Sequence, residues 1–319
     1  MFSGDINQDG TIDASDLSST DNAAYNSSGG YILTDVTGDN FTDASDVSLV
    51  DNNARILVSE ITPFSNQAPC NLTCDRFINW CGFDWCVRSS NEGRCYPGPN
   101  YIASGTDNVR IDSSGDLHLR ITKRNGKYYC VVLFTVQPVS YGLFKFSLSS
   151  RIDNLDKNVV FGLFTWNDKN CITNANSELD IEFTRWGDAE NPDVIEYSIQ
   201  PTNGGIETDR FTSWPMQLYN KYSTHFINWT PSLIYFSSYR GNANPPADSS
   251  LISYWSFGTN HTPKSSLVCN SDPVLIPDPE SDTRLIMNLW LDRGNYPSND
   301  QEVEVIVHKI EYVHQFYNP

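Results

Sequence analysis

From about Cys70 onward, the chain alternates short apolar and aromatic stretches with clusters of Gly, Asn, Asp, Ser and Pro. Ten stretches read as strands: 116–122 (DLHLRIT), 128–136 (YYCVVLFTV), 141–152 (YGLFKFSLSSRI), 159–166 (VVFGLFTW), 178–186 (ELDIEFTRW), 194–200 (VIEYSIQ), 224–230 (THFINWT), 233–239 (LIYFSSY), 284–290 (RLIMNLW) and 302–313 (EVEVIVHKIEYV). No long segment carries an apolar period of 3.6 residues. Many short strands with turn punctuation predict an all-β sandwich or barrel, and some 250 residues suit one such domain.

The first sixty residues follow a different rule. Residues 5–16 read DINQDGTIDASD and residues 35–46 read DVTGDNFTDASD, an internal repeat. In each copy, oxygen-bearing residues recur at positions 1, 3, 5, 9 and 12, the spacing of an EF-hand-type calcium loop with Asp in place of Glu at the end. The first loop offers Asp5, Asn7, Asp9, Asp13 and Asp16, with the Thr11 carbonyl at position 7 and Gly10 at the sharp turn. The second offers Asp35, Thr37, Asp39, Asp43 and Asp46, with the Phe41 carbonyl. Asn40 stands where the first loop has glycine, and Asn tolerates the left-handed backbone better than most residues. A solvated acidic loop could produce one such pattern by chance. Two in register predict two Ca²⁺ sites, and folding of this segment is expected to depend on them. The expected organisation is a calcium-loop module over 1–62, a linker over 63–69, and a sandwich over 70–319.

Charge sharpens this division. The formal net charge is −18, and residues 1–63 carry −10 of it, from ten Asp, Glu60 and Arg55. A chain this acidic repels nucleic acid and anionic membranes, leaving cations and neutral molecules such as sugars as partners. No apolar run reaches membrane-spanning length. The eight cysteines are even in number and show no zinc-ligand spacing, which favours disulfides and an oxidising compartment. Five of them lie between Cys70 and Cys95, a segment that reads either as a disulfide-clamped first strand or as an insert at a cleft edge. Sequons at Asn26, Asn40, Asn71, Asn228 and Asn260 fit a secreted or cell-surface glycoprotein. The opening residues are not a signal peptide, so an exported chain would be mature or truncated at its start.

One stretch carries candidate chemistry. In NSELDIEFTRWG (176–187), Glu178, Asp180 and Glu182 alternate with Leu179, Ile181 and Phe183. On a strand, the three acids share one face and the apolar residues enter the core. Three like charges side by side repel, which is unfavourable in a purely structural strand. The same repulsion raises the pKa of an acid that must hold a proton near neutral pH. Glu178 and Glu182 are about 13 Å apart at Cα, and inward-leaning side chains could bring the carboxyls to the roughly 5 Å of a retaining glycosidase. A solvated acidic strand remains the alternative on these residues alone.

The motif E-x-D-x-E, with the ordered segments 141–152, 159–166, 224–241 and 284–294, resembles glycoside hydrolase family 16, the lichenase and laminarinase family, in its form without a β-bulge. The resemblance runs over roughly residues 100–315. It implies a concave jelly-roll sandwich that cleaves β-glycosidic bonds with retention. Glu178 would be the nucleophile, Glu182 the general acid/base, and Asp180 would tune the pair. Trp166, Trp186 and Trp290 are candidates for stacking on sugar rings, though each could equally be core. His225 falls at a shared position, with a structural role equally open. The N-terminal pair of loops (residues 3–57) resembles a dockerin type I repeat, which implies a cohesin-like or self-assembly partner; a calcium-stiffened spacer is the other reading. The implied whole is an extracellular polysaccharide hydrolase. The competing reading is a non-catalytic carbohydrate-binding or structural subunit of a cell-surface or filamentous assembly.

Overall fold

The computed structural model describes residues 4–7, 12–30, 32–55, 72–91, 93–269 and 272–315. The chain divides into two compact units, Met1–Gln67 and Ala68–Pro319.

The first unit holds two helices, Ala14–Tyr25 and Ala44–Arg55, which pack on each other. Their surfaces are polar, and the buried apolar side chains among the described residues are few, Ile12 and Val50 foremost. Each helix is entered through an aspartate-rich turn. Asp13 caps the first helix by accepting the Ser15 N–H, and Asp43 accepts the Ser45 N–H at the equivalent place. Such caps satisfy orphan donors of the first turn, each worth about 1 kcal/mol.

The second unit is a two-layer antiparallel sandwich, one of the two all-β forms that the strand pattern predicts and the jelly roll that the family resemblance implies. One sheet runs, in spatial order, through Thr73–Trp80, Phe83–Ser89, Lys127–Thr135, Arg284–Leu291, Val159–Trp166, Leu179–Phe183, Asp193–Ile199 and Phe211–Pro215. The other runs through Val109–Ile111, Leu117–Arg124, Val303–His314, Gly142–Ser149, Tyr222–Trp229, Leu233–Arg240 and Leu251–Gly258. The core lies between them. Leu179, Ile181, Phe183, Tyr197, Phe161 and Leu163 come from the first sheet, and Phe144, Phe146, Ile227, Trp229 and Phe236 from the second, all fully buried. His225 belongs to this core. Its ring nitrogens meet the hydroxyls of Ser238 (2.7 Å) and Ser223 (2.9 Å), and it packs edge-on to Phe183. Burial pushes its pKa down to about 3, so it is a neutral structural group.

The cysteine-rich segment forms the outer hairpin of the first sheet. Strand Thr73–Trp80 turns through Cys81 and Gly82, both left-handed, as a two-residue hairpin connection requires. Cys74 and Cys86 join its two strands, and Phe83–Ser89 pairs with Lys127–Thr135. The segment is therefore both a clamped strand pair and the rim of the sheet. A second disulfide, Cys171–Cys269, ties the helical turn Cys171–Asn174 to a distant loop. Cys95 is also disulfide-bonded, while Cys70 lies outside the described residues. Cys81 and Cys130 are free thiols, so the even count of cysteines does not translate into complete pairing.

Candidate active-site cleft

The acidic strand Leu179–Phe183 sits inside the first sheet, between Val159–Trp166 and Asp193–Ile199, in unbroken register with both. Its apolar residues face the other sheet. Its acids face the opposite side and help to line a cleft of about 590 Å³. Three rows cross the cleft floor. Glu182 lies beside Gly162, which lies beside Asn288 and then Val132. Asp180 lies beside Phe164, Ile286 and Phe134. Trp166 and Arg284 form a pair at the Glu178 end.

Gly162 is what opens the floor next to Glu182. A Cβ built there would meet Asn288 Oδ1 at 2.5 Å. Asn288 therefore leans into the space that a side chain at 162 would take. Among the described residues its buried Oδ1 has no hydrogen-bond partner, and neither has the indole N–H of Trp290, two residues along the strand. Such unmade bonds cost about 1–3 kcal/mol each in a finished core. Here both groups line the cleft, where a ligand hydroxyl could satisfy them.

The carboxyls are strongly perturbed. Burial raises Glu178 well above the usual carboxylate range, aided by the charges of Asp180 and Glu182 and by a hydrogen bond shared with Asp180. Glu182 is raised well above that range by burial, then by Asp180 and Glu196. Burial also raises Asp180, to about 7, against hydrogen bonds from Ser198 and Gln200. Glu196, directly opposite Glu182 on the next strand, is raised by burial while a hydrogen bond from the Trp186 indole (3.2 Å) works the other way. Four carboxyls thus share fewer than four negative charges near neutral pH. Glu196, Ser198 and Gln200 were not among the sequence candidates. Their alternation along 194–200 was the available signal, since it puts all three on one face.

The tryptophans divide. Trp166 and Trp290 line the cleft with the triplet, and Trp166 donates its indole N–H to Asp168 (2.7 Å). Trp186 packs edge-on to Trp290 at 6.1 Å and lines an adjoining open groove of about 710 Å³ with Asp292 and Arg293.

In the N-terminal unit, carboxylate oxygens of Asp35, Asp39 and Asp46 converge within 4.8 Å of one another. Asn40 adopts φ +75°, the left-handed turn expected of it. Asp46 is buried. Burial works to raise its pKa, but backbone and side-chain hydrogen bonds from Asp43, Thr37 and Val36 prevail and hold it down. Asp16, also buried, accepts the N–H groups of Ile6, Asn7 and Asp13. The donor set is all oxygen, as a hard divalent cation requires. Asp9 and Thr11 lie outside the described residues.

No protein-family model and no curated protein matches the sequence. Solved structures do resemble it. One is an immunostimulatory antigen described as a pseudo β-1,3-glucanase of Mycobacterium tuberculosis, at 17% identity and TM-score 0.50 over 72% of this chain and 91% of that one. Others are a Bacillus licheniformis β-glucanase (18%, TM-score 0.48, 79% and 96%) and a laminarinase from Flavobacterium sp. UMI-01 (13%, 0.47, 70% and 86%). At such identities, what is shared is the fold. The sandwich is built as in the mycobacterial protein. Among the described residues, no helix is long and apolar enough to cross a membrane.

Proposed function

We propose that the sandwich is a retaining glycoside hydrolase of the family 16 type, acting on a β-linked polysaccharide outside the cell. The observation that carries this reading is the row of carboxyls with raised pKa values on the floor of a cleft that Trp166 and Trp290 also line. Retaining cleavage needs one ionised and one protonated carboxyl near the same bond. Glu178 serves as nucleophile. Its carboxylate attacks the anomeric carbon while Glu182 gives its proton to the departing oxygen. Water then cleaves the glycosyl–enzyme bond, with Glu182 taking a proton from it. Burial together with the charges of Asp180 and Glu196 favours the protonated form of Glu182 at the outset. Glu178 is raised by the same burial, so it attacks only after passing its proton to Asp180 or to solvent. Asp180 shares a hydrogen bond with Glu178 and orients it.

The non-catalytic reading draws support from one neighbour's description as a pseudo-glucanase. Turnover on lichenan, laminarin, agarose and carrageenan, by the full chain and by Glu178→Gln, separates the two. A hydrolase loses detectable activity with Glu178→Gln, and Glu182→Gln lowers kcat by about 10²–10⁴ on an unactivated substrate. Equal activity in wild type and Glu178→Gln would remove the nucleophile assignment. Silence on every glycan would favour a binding or structural subunit.

The N-terminal unit is proposed as a calcium module of the dockerin kind, docking to a cohesin-like or self-assembling partner. The converging Asp35, Asp39 and Asp46 carboxylates, with Asp43, Thr37 and the Phe41 carbonyl in the same loop, support the second site. The first would use Asp5, Asn7, Asp9, Thr11, Asp13 and Asp16.

A further inference from the structure

Arg88 does not fit a cleft made for neutral sugars alone. It comes from the rim strand Phe83–Ser89, outside the segments that carry the family resemblance. Its guanidinium lies over the Phe134 ring at 4.8 Å and lines the same cavity as Glu178 and Glu182. An arginine has five N–H donors and no acceptor. Among the described residues, Arg88 makes one long ion pair, to the exposed Asp168 at 3.8 Å, and its buried Nε–H has no partner. A guanidinium held against an aromatic face, with donors unfilled, is costly unless an acceptor arrives. Its planar fork matches an oxyanion in two parallel hydrogen bonds, the strong form of this contact.

Nearby charges reinforce the point. Arg284 lines the cleft and makes no ion pair with a described residue, its Nη1 bonding to the Val136 carbonyl instead. Lys169 and Asp282 neutralise each other at 2.7 Å. Apart from the carboxyl row, this arm of the cleft carries one more positive than negative group, in a chain whose net charge is −18. By strand count, Arg88 stands four strands from the acidic strand, roughly 19 Å at Cα for a spacing of about 4.8 Å. That places it away from the bond being cleaved, over a different sugar of the same bound chain.

We infer that this arm of the cleft receives an acidic sugar unit, with Arg88 gripping its sulfate ester or carboxylate. The inference rests on the glycan-cleft reading above and names its substrate class. The strongly acidic protein opposes a densely charged polymer at long range. The fitting ligand is therefore a β-linked glycan with spaced anionic groups and neutral sugars between them.

Binding tests this without turnover. Calorimetry on the full chain carrying Glu178→Gln compares three oligosaccharides of equal length: κ-carrageenan (one sulfate per disaccharide), hyaluronan (one carboxylate per disaccharide) and neutral agarose. At least one anionic oligosaccharide should bind about 10–100-fold tighter than the neutral one, the span of a charge-assisted hydrogen-bond pair. Whichever binds identifies the anion. Adding Arg88→Met should bring the ratio to within about twofold, while Arg88→Lys, which keeps charge but not the fork, should retain part of it. Thermal midpoints of both variants report folding, and Arg88→Lys carries the test if Arg88→Met unfolds. Equal binding of neutral and anionic ligands, or a preference that survives both substitutions, overturns the inference. Hydrolysis by chain with Glu178 intact is scored separately. Turnover of neutral glucan without anionic preference leaves the hydrolase standing and removes this inference; anionic preference without turnover on any glycan does the reverse. Binding of none of the three removes this inference, and the hydrolase reading is then decided by the turnover assays alone.

Discussion

Glu182 illustrates how much one side chain owes to its neighbours. Glu178, Asp180, Glu182 and Glu196 are all raised, first by burial. The folded state therefore holds protons that the unfolded chain releases. Stability from this source is fully present below the ordinary carboxylate range, near pH 4, and falls as pH rises through the raised values. Glu182→Gln removes one titrating group and one repulsive charge. Its thermal midpoint should match wild type near pH 4 and exceed it by at least about 2 °C at pH 8, since about 1 kcal/mol moves a domain of this size by 2–4 °C. A variant less stable than wild type at pH 8 would contradict the stated cause of the shifts. The triplet itself was legible because alternation of acid and apolar residues states its own geometry. Glu196 and Asn288 were not. They reach Glu182 only through the pairing of strands far apart in the chain, and no local pattern encodes which strands become neighbours.

The strands repeat this lesson. Those that read as nearly continuous apolar runs, such as Val159–Trp166 and Arg284–Leu291, fall where the apolar pattern puts them. The strand Thr73–Trp80 was obscured, because it leaves Phe77 64% exposed and spends positions on cysteine. The short Phe211–Pro215 has no fully buried residue and ends in proline, as an edge strand tolerates. The predicted stretch 178–186 overran, since Trp186 and Gly187 turn left-handed and end the strand at Phe183. Inside Val159–Trp166, Gly162 ties backbone to site. Gly162→Ala should displace Asn288 from the cleft floor, cost about 1–3 kcal/mol as overpacking does, and lower kcat/KM on any glycan that is turned over. Unchanged stability and kinetics would show that Asn288 swings aside freely.

The two units should answer differently to the solution around them. The sandwich draws on a large apolar core and disulfides. The N-terminal unit has ten aspartates and, among the described residues, few buried apolar groups. Excess chelator should lower the unfolding temperature of the N-terminal unit and leave the sandwich transition in place, giving two separated steps by calorimetry. Adding Ca²⁺ should restore the first step, and a first transition indifferent to chelator would sink the cation assignment. The all-β class was legible from the strand pattern, while the choice of a jelly-roll sandwich over a barrel came from the family resemblance.

The bare indole N–H of Trp290, set edge-on against Trp186, makes the cleft self-reporting. Trp186 and Trp290 are partly exposed or border the cavity, whereas Trp85 and Trp229 are sealed in the core and see no change. Any molecule that settles beside Trp290 and accepts a hydrogen bond from its N–H alters the polarity around that ring. The emission colour and intensity of the protein should shift in proportion to occupancy, so that a fluorimeter can count filled clefts in an inactive variant with no label attached.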